Sequence, residues 1–395
     1  MSKQNGKEEA PKDLRRQARE IADSLAIAFI LAMVIRHYVL EVFKIPTKSM
    51  EPTLLGDPWT GDKILVNKFA YDFGEPERWQ VAVFKYPEDT TKNYIKRVVG
   101  LPGETIRIMD GDVYINGHIA RKPWAAQSDL WRLQPQSGNA DSWQPLDPRY
   151  WRLTDKEFLV DSEVSPQPQA ISYEREILAY PEVDARGRVY ERIPTSDVML
   201  QFYLLPLKMA GAVQVELAID TAVGIPQSVD TWLVRIPLGE AESRPQLYRA
   251  GQAVATGQPA TFAEGQPTLV QVCNVDRTIL VRIGGRELIH HDYEPSRNIV
   301  EWPGYASQAH VLLACKQGRV AFTHVGVYVD VYYTDRPDTY AVRSPYTLEQ
   351  GRFFMLGDNS INSNDSRKWN SVPESYLVGE AFLVLWPLGR MKLVR

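Results

Sequence analysis

Two residues of this chain, Ser49 and Lys96, have the types and settings to do chemistry together. Ser49 lies in Ile45-Pro46-Thr47-Lys48-Ser49-Met50-Glu51-Pro52-Thr53, and Lys96 in Tyr94-Ile95-Lys96-Arg97. A serine beside two prolines means little alone. Just after an apolar, membrane-like run, and followed by a lysine on a strand, it suggests a nucleophile and its base. A lysine near its unperturbed pKa of about 10.4 is unreactive as a base, and burial among apolar groups is what lowers it enough. Tyr94, Ile95, Val98 and Val99 supply such a setting, and strand alternation sends Arg97 to the opposite face, away from the ammonium.

A third segment, Gly357-Asp358-Asn359-Ser360-Ile361-Asn362-Ser363-Asn364-Asp365-Ser366-Arg367, follows the apolar Phe353-Phe354-Met355-Leu356. Taken alone it is a polar, solvated turn. Its density of Ser, Asp and Arg directly after a buried-looking strand sets it apart.

The elements that must position these residues begin with an N-terminal arm. Residues 1–20 are polar and charged, with Lys3, Lys7, Lys12, Arg15, Arg16 and Arg19, and are expected as a disordered arm or a frayed helix on the cytoplasmic side of a membrane. Leu25 to Ile35 is apolar, then Arg36 and His37 precede Tyr38-Val39-Leu40. The clean run is shorter than the roughly 20 residues a spanning helix wants. It can extend over 21–43 with Arg36 snorkelling, and no small-x-small cleavage site follows it, so an uncleaved transmembrane anchor over 21–43 is expected. The positive-inside rule then puts everything after Phe43 outside the cytoplasm.

Beyond the anchor the pattern is β. Lys63–Asn67, Val81–Lys85 and Tyr94–Val99 are rich in β-branched and aromatic residues. Thr105–Ile108 and Val113–Ile115 flank an Asp110-Gly111 turn, and Asn116-Gly117 is a strong hairpin signal. From about 123 to 345 the chain is first Trp-, Pro- and Gln-rich (Trp124, Trp131, Trp143, Trp151) and then strand-like again. There Val213, Val215, Leu217 and Ile219 alternate with polar or small residues, Thr278–Ile283 meets Arg286–Ile289 through Gly284-Gly285, and Arg319–Tyr333 alternates over a longer run. The fold class is therefore mainly β: a catalytic β-body in two parts, 44–122 and 346–395, interrupted by a β-sandwich insert at 123–345.

Composition limits the function classes. With 395 residues, 44% hydrophobic and 24% charged, the chain is ordinary globular material for two or three domains. A net charge of −4 provides no basic field, and no RNA-stacking motif occurs, so nucleic acid is not an expected partner. Cys273 and Cys315 are too few for a disulfide scaffold and lack C-x-x-C spacing; two buried thiols are expected, with one disulfide as the alternative if this part is exported. The adjacent His290 and His291 do not share a strand face, so no metal site is expected there.

In combination, I-P-x-x-S-M-x-P-T-L, Y-I-K-R-V-V-G-L-P-G-E and G-D-N-S-x-x-S-x-D-S-R occur in an order that resembles the bacterial type I signal peptidases, the leader peptidases that remove signal peptides from exported preproteins. The resemblance covers the anchor, residues 43 to about 117 and residues 346–386. By position it implies Ser49 as nucleophile and Lys96 as general base, with no cofactor. It implies an oxyanion site from the Ser49 backbone N–H and the hydroxyl of Thr47, where the family usually has serine. Ser363 falls where the family places a hydroxyl that orients the lysine amine. Asp358, Asp365 and Arg367 match supporting ion pairs, with Arg97 a candidate partner for Asp358. Phe43, Ile45, Met50, Leu54, Tyr94 and Ile95 match positions lining small apolar pockets for substrate residues −1 and −3, with the signal-peptide end pairing along strand edges.

Two local departures occur. Trp79-Gln80 stands where the family commonly has Gly-Asp, and Ser360-Ile361 replaces a more charged pair; both bear on turn geometry. The large departure is the insert, whose strand spacing, Asn274-Val-Asp-Arg turn and Gly-Gly hairpin are similar to lectin-like jelly-roll modules. Its expected ligands are a glycan or a protein, with substrate gating or simple elaboration equally open. The reading is a single-pass peptidase of the bacterial inner membrane, with preprotein signal peptides and the lipid bilayer as partners and its catalytic body on the extracytoplasmic side. The alternative is a catalytically inactive, membrane-tethered binding protein acting through the insert.

Overall fold

A computed structural model of the chain describes residues 14–34, 39–180, 192–220, 229–239, 243–294, 308–334 and 340–394. The first described element is a helix, α1 (Leu14–Val34), so residues 14–20 of the expected arm are helical. Its apolar side chains, Ile21, Leu25, Ile27, Phe29 and Ile30 among them, are exposed. Among the described residues no helix is long and apolar enough to cross a membrane. The anchor expected over 21–43 needs correction at its far end. Leu40–Phe43 belong to strand β1 (Leu40–Lys44), which pairs antiparallel with β2 (Lys63–Asn67). Val39, Leu40, Val42 and Phe43 suit a strand as well as a lipid-facing helix, and the available edge of β2 decides between them. Residues 35–38 of that anchor lie outside the described residues.

An eight-stranded antiparallel sheet carries the three motifs. Its order is β1, β2, the strand Leu377–Trp386, β3 (Val81–Tyr86), β4 (Asp89–Gly100), the strand Arg352–Leu356 and Val372–Pro373, with Lys392–Leu393 added on Leu377–Trp386. β4 starts five residues before the expected Tyr94, because Asp89–Asn93, polar and exposed from Thr90 on, takes its strand form from pairing back on β3.

A four-stranded sheet of Tyr346–Thr347, β5 (Thr105–Met109), β6 (Asp112–Ile115) and His118–Ile119 packs beside it. Val99, Phe354 and Leu356 of the first sheet share a core with Ile106 and Ile108 of the second. Asp110-Gly111 and Asn116-Gly117 turn the chain with positive φ at both residues of each pair, the geometry of tight hairpins.

Residues between Arg132 and Val329 build two further antiparallel sheets, one of eight strands and one of seven. Phe202, Val272, Val281 and Phe322 of the first and Val215, Trp232, Val234 and Leu313 of the second lie in one buried cluster, so the two sheets face each other as a sandwich. The Trp-rich stretch contributes strands of only two or three residues, Arg132–Leu133, Trp143–Pro145 and Trp151–Leu153, and buries Trp143 and Trp151 in that core. Gly284 and Gly285, both at positive φ, close the hairpin between Thr278–Ile283 and Arg286–Asp292. Cys273 and Cys315 are free, buried thiols.

Candidate active site

Ser49 sits in a single 3-10 turn, Lys48–Met50, directly after the extended Thr47. The turn is pinned from both sides: Met50 has no exposed surface, and the Asn359 N–H donates to the Ser49 carbonyl at 3.1 Å. Lys96, on β4, is 4% exposed, and its Nζ lies 2.8 Å from Ser49 Oγ. A second bond from Lys96 Nζ goes to the Ile95 carbonyl at 2.8 Å. Burial pushes the Lys96 pKa down from 10.5 to about 8, against the opposing charges of Asp365 and Asp358 and with a smaller push from Arg367. The Thr47 hydroxyl stands 3.4 Å from Ser49 Oγ on the exposed side of the turn.

Behind the pair lie two buried arginine–aspartate centres. Arg97 Nε and Nη2 donate to Asp358 Oδ1 and Oδ2, each at 2.8 Å, and neither side chain is exposed. Thr53 completes this centre: its hydroxyl donates to Asp358 Oδ2 at 2.6 Å and accepts from Arg97 Nη2 at 3.1 Å. In the second centre Asp365 caps the short helix Ser366–Trp369 and receives Arg367 Nε and Nη2 at 2.9 Å each, with the Gly357 N–H at 3.1 Å. Burial alone would raise the Asp365 pKa, but the Arg367 charge and its hydrogen bonds hold it below the usual carboxylate value. The Ser363 side chain is buried beside Asp365 and helps hold that carboxyl down, and among the described residues the second acceptor of Lys96 is the Ile95 carbonyl.

This constellation is assembled from the three motif segments, and the family model described as signal peptidase, peptidase S26, matches residues 18–156 and 316–386, more than half of the chain. The chain belongs to the signal peptidase family. Two relatives illustrate the range. The chain is 42% identical over 113 residues to signal peptidase I of Pseudomonas aeruginosa, covering 25% of this chain and 38% of that protein. It is 32% identical over 155 residues to the probable signal peptidase I-2 of a Synechocystis strain, covering 36% of this chain and 69% of that protein. The chain thus spans little more than a third of the Pseudomonas relative's length. Among solved structures, a Bacillus subtilis protein of unknown function with a galectin-like fold aligns over 53% of this chain and 96% of its own, at 8% identity and a TM-score of 0.31.

In this signal peptidase family member the six residues expected to line substrate pockets do not form one surface. Ile45, Met50 and Leu54 are buried in one cluster, against which the partly exposed Phe43 and Ile95 pack. Tyr94 stands apart, stacked on Tyr86 with ring centroids 4.2 Å apart. Phe43, Tyr94 and Ile95 are the ones with surface to offer a ligand.

Four residues of the site have no role assigned by the sequence reading, although Thr53 and Gly357 lie inside its motifs. Thr53 is one, and Gly357 is another: a Cβ there would lie 2.2 Å from Ser363 Oγ and 2.5 Å from the Ser49 carbonyl. The other two come from the insert. Thr334 accepts Arg367 Nη1 at its hydroxyl (2.6 Å) and carbonyl (3.1 Å). Arg132 Nη2 donates to the carbonyls of Glu51 and Asp358. The glycine directly after a buried strand was the only one of these with a local signal.

Proposed function

We propose that this chain is a membrane-associated serine endopeptidase that removes N-terminal signal peptides from exported preproteins, with Ser49 as nucleophile and Lys96 as general base. The observation that carries this reading is the 2.8 Å contact between Lys96 Nζ and Ser49 Oγ inside a buried setting that lowers the lysine pKa to about 8. A neutral Lys96 donates one N–H to the Ile95 carbonyl, which turns its lone pair toward the Ser49 hydroxyl. Ser49 Oγ attacks the scissile carbonyl while Lys96 takes its proton. The oxyanion is received by the Ser49 N–H and the Thr47 hydroxyl. Lys96 then gives the proton to the leaving amine, and a water deprotonated by Lys96 hydrolyses the acyl-enzyme.

The peptide would lie as an added strand. Over Asp89–Ile95, β4 pairs with β3 on one side, and the opposite edge has no partner strand among the described residues. Ile95, on that edge and packed with Phe43 against one apolar cluster, favours small apolar residues at −1 and −3. The exposed apolar side chains of α1 suit a lipid bilayer as their cover, with the catalytic body on the extracytoplasmic side of a bacterial inner membrane.

The test uses the full chain, purified in detergent, with several unrelated preproteins and mass mapping of each new N-terminus. Cuts after small residues, abolished when −1 is made Phe, support the reading. Cleavage of a single preprotein points to a specialised processing enzyme, and no cleavage at all contradicts the proposal.

A further inference from the structure

Arg132 belongs by its backbone to the sandwich insert. It pairs with Val329 in the ladder between Arg132–Leu133 and Arg319–Val329. Its side chain leaves that sheet and enters the catalytic body, where it is 6% exposed and lies over the Tyr180 ring, 5.6 Å from the centroid. There one nitrogen, Nη2, bonds two carbonyls from distant parts of the sequence, that of Glu51 and, at 3.1 Å, that of Asp358. Glu51 closes the turn carrying Ser49, and Asp358 follows the glycine packed against the Ser49 carbonyl. Asp358 is thereby held by two arginines, its carboxylate by Arg97 from β4 and its carbonyl by Arg132 from the insert.

Among the described residues the two segments are also tied by the bond from the Asn359 N–H to the Ser49 carbonyl and by the Thr53 hydroxyl on the Asp358 carboxylate. A bond from a cation to a carbonyl is stronger than a neutral one, and a buried carbonyl left without its donor is destabilising. The Arg132 bridge therefore adds a cationic tie that helps hold the separation of the nucleophile turn and the Asp358 loop.

We infer that Arg132 is a positioning residue for Ser49, making the sandwich insert a structural part of the catalytic site. This inference rests on the peptidase reading above. A displacement of about 1 Å at a reacting atom can lower the rate about 100-fold.

The test compares Arg132→Met, which keeps the stem and removes the donors, with Arg132→Lys, which keeps one cationic donor. Steady-state kinetics on a preprotein are referred to the folded fraction measured by near-UV circular dichroism. The expected result for Arg132→Met is a kcat lowered about 10- to 100-fold with KM within about threefold, and Arg132→Lys intermediate. The acidic limb of the rate profile should also move to higher pH, because a loosened turn lets water reach Lys96. Should Arg132→Met fail to fold, Arg132→Lys alone decides, with a lowered kcat at constant KM in support and a wild-type kcat against. A kcat per folded molecule within twofold of wild type and an unshifted profile overturn the inference. Wild-type protein that does not cleave overturns the peptidase reading itself; active wild type with undiminished variants overturns only the role of Arg132.

Discussion

Arg97 and Asp358, 261 residues apart, meet through two parallel hydrogen bonds of 2.8 Å with no exposed surface on either side chain. A buried pair of this kind adds little net stability over apolar residues of similar volume, but removing one partner strands the other's charge. Arg97→Met and Asp358→Leu should each destabilise the fold by about 3–5 kcal/mol in urea titrations. The double variant should lose clearly less than the sum. Additive losses would show that the two residues are not coupled.

Gly357 is required for contact reasons alone. Its φ is not among the positive values, yet a Cβ would meet the Ser49 carbonyl at 2.5 Å and Ser363 Oγ at 2.2 Å. Gly357→Ala should therefore push the nucleophile turn outward, lowering kcat/KM about 100-fold and reducing the melting temperature. Activity within twofold of wild type would mean that the turn can move without consequence.

The Thr47 hydroxyl, 3.4 Å from Ser49 Oγ, gives a cleaner test of transition-state stabilisation. Thr47→Val keeps the branched shape and removes the donor, and should lower kcat about 100- to 1000-fold with little change in KM. Thr47→Ser should remain close to wild type, since it removes only the methyl that restricts the rotamer. Equal activities for all three proteins would remove Thr47 from the oxyanion site.

Stability and function should oppose each other at Lys96. Its pKa is about 8 when folded and 10.5 ordinarily, so between those values the unfolded chain binds more protons than the folded one. Stability from this group therefore rises with pH across that window, and at pH 7 the destabilisation is present in full, about 3 kcal/mol at most. Lys96→Met should raise the melting temperature at pH 7, with the advantage shrinking toward pH 10. A melting temperature lowered at pH 7 would contradict the burial argument.

Much of the strand pattern was legible because period-2 alternation and positive-φ turn residues are local signals: Val213 to Ile219, Asn116-Gly117 and Gly284-Gly285 carry them in adjacent residues. The proximity of Ser49 to Lys96 and of Arg97 to Asp358 could be read from three motifs occurring together. Thr53, Thr334 and Arg132 could not, since a threonine hydroxyl or an arginine gives no local sign of which distant carbonyl or carboxylate it meets. The strands Arg132–Leu133 and Trp151–Leu153 are too short to show a period. The far end of the expected anchor misread as helix because Leu40, Val42 and Phe43 are apolar in either structure, and only pairing with β2 distinguishes them.

Trp79 shows how a local rule gives way to packing. It stands at φ 77, in the left-handed region that favours glycine, where the resemblance would have put one. The ring is 5% exposed with Lys122 Nζ 5.6 Å from its centroid, and the carbonyl accepts Arg97 Nη1 at 2.6 Å. These contacts offset a backbone cost of about 1–2 kcal/mol.

The central claim is that Ser49 attacks and Lys96, neutral, takes its proton. Its most direct measurement is the pH dependence of kcat/KM on one preprotein for wild type, Ser49→Ala and Lys96→Ala, with folding verified by circular dichroism. Because the base must be unprotonated, the wild-type rate should climb about tenfold per pH unit below about 8 and level off above it. Both variants should be folded and inactive at every pH. Full activity in either folded variant, or a wild-type rate flat from pH 6 to 9, would contradict the Ser49–Lys96 dyad.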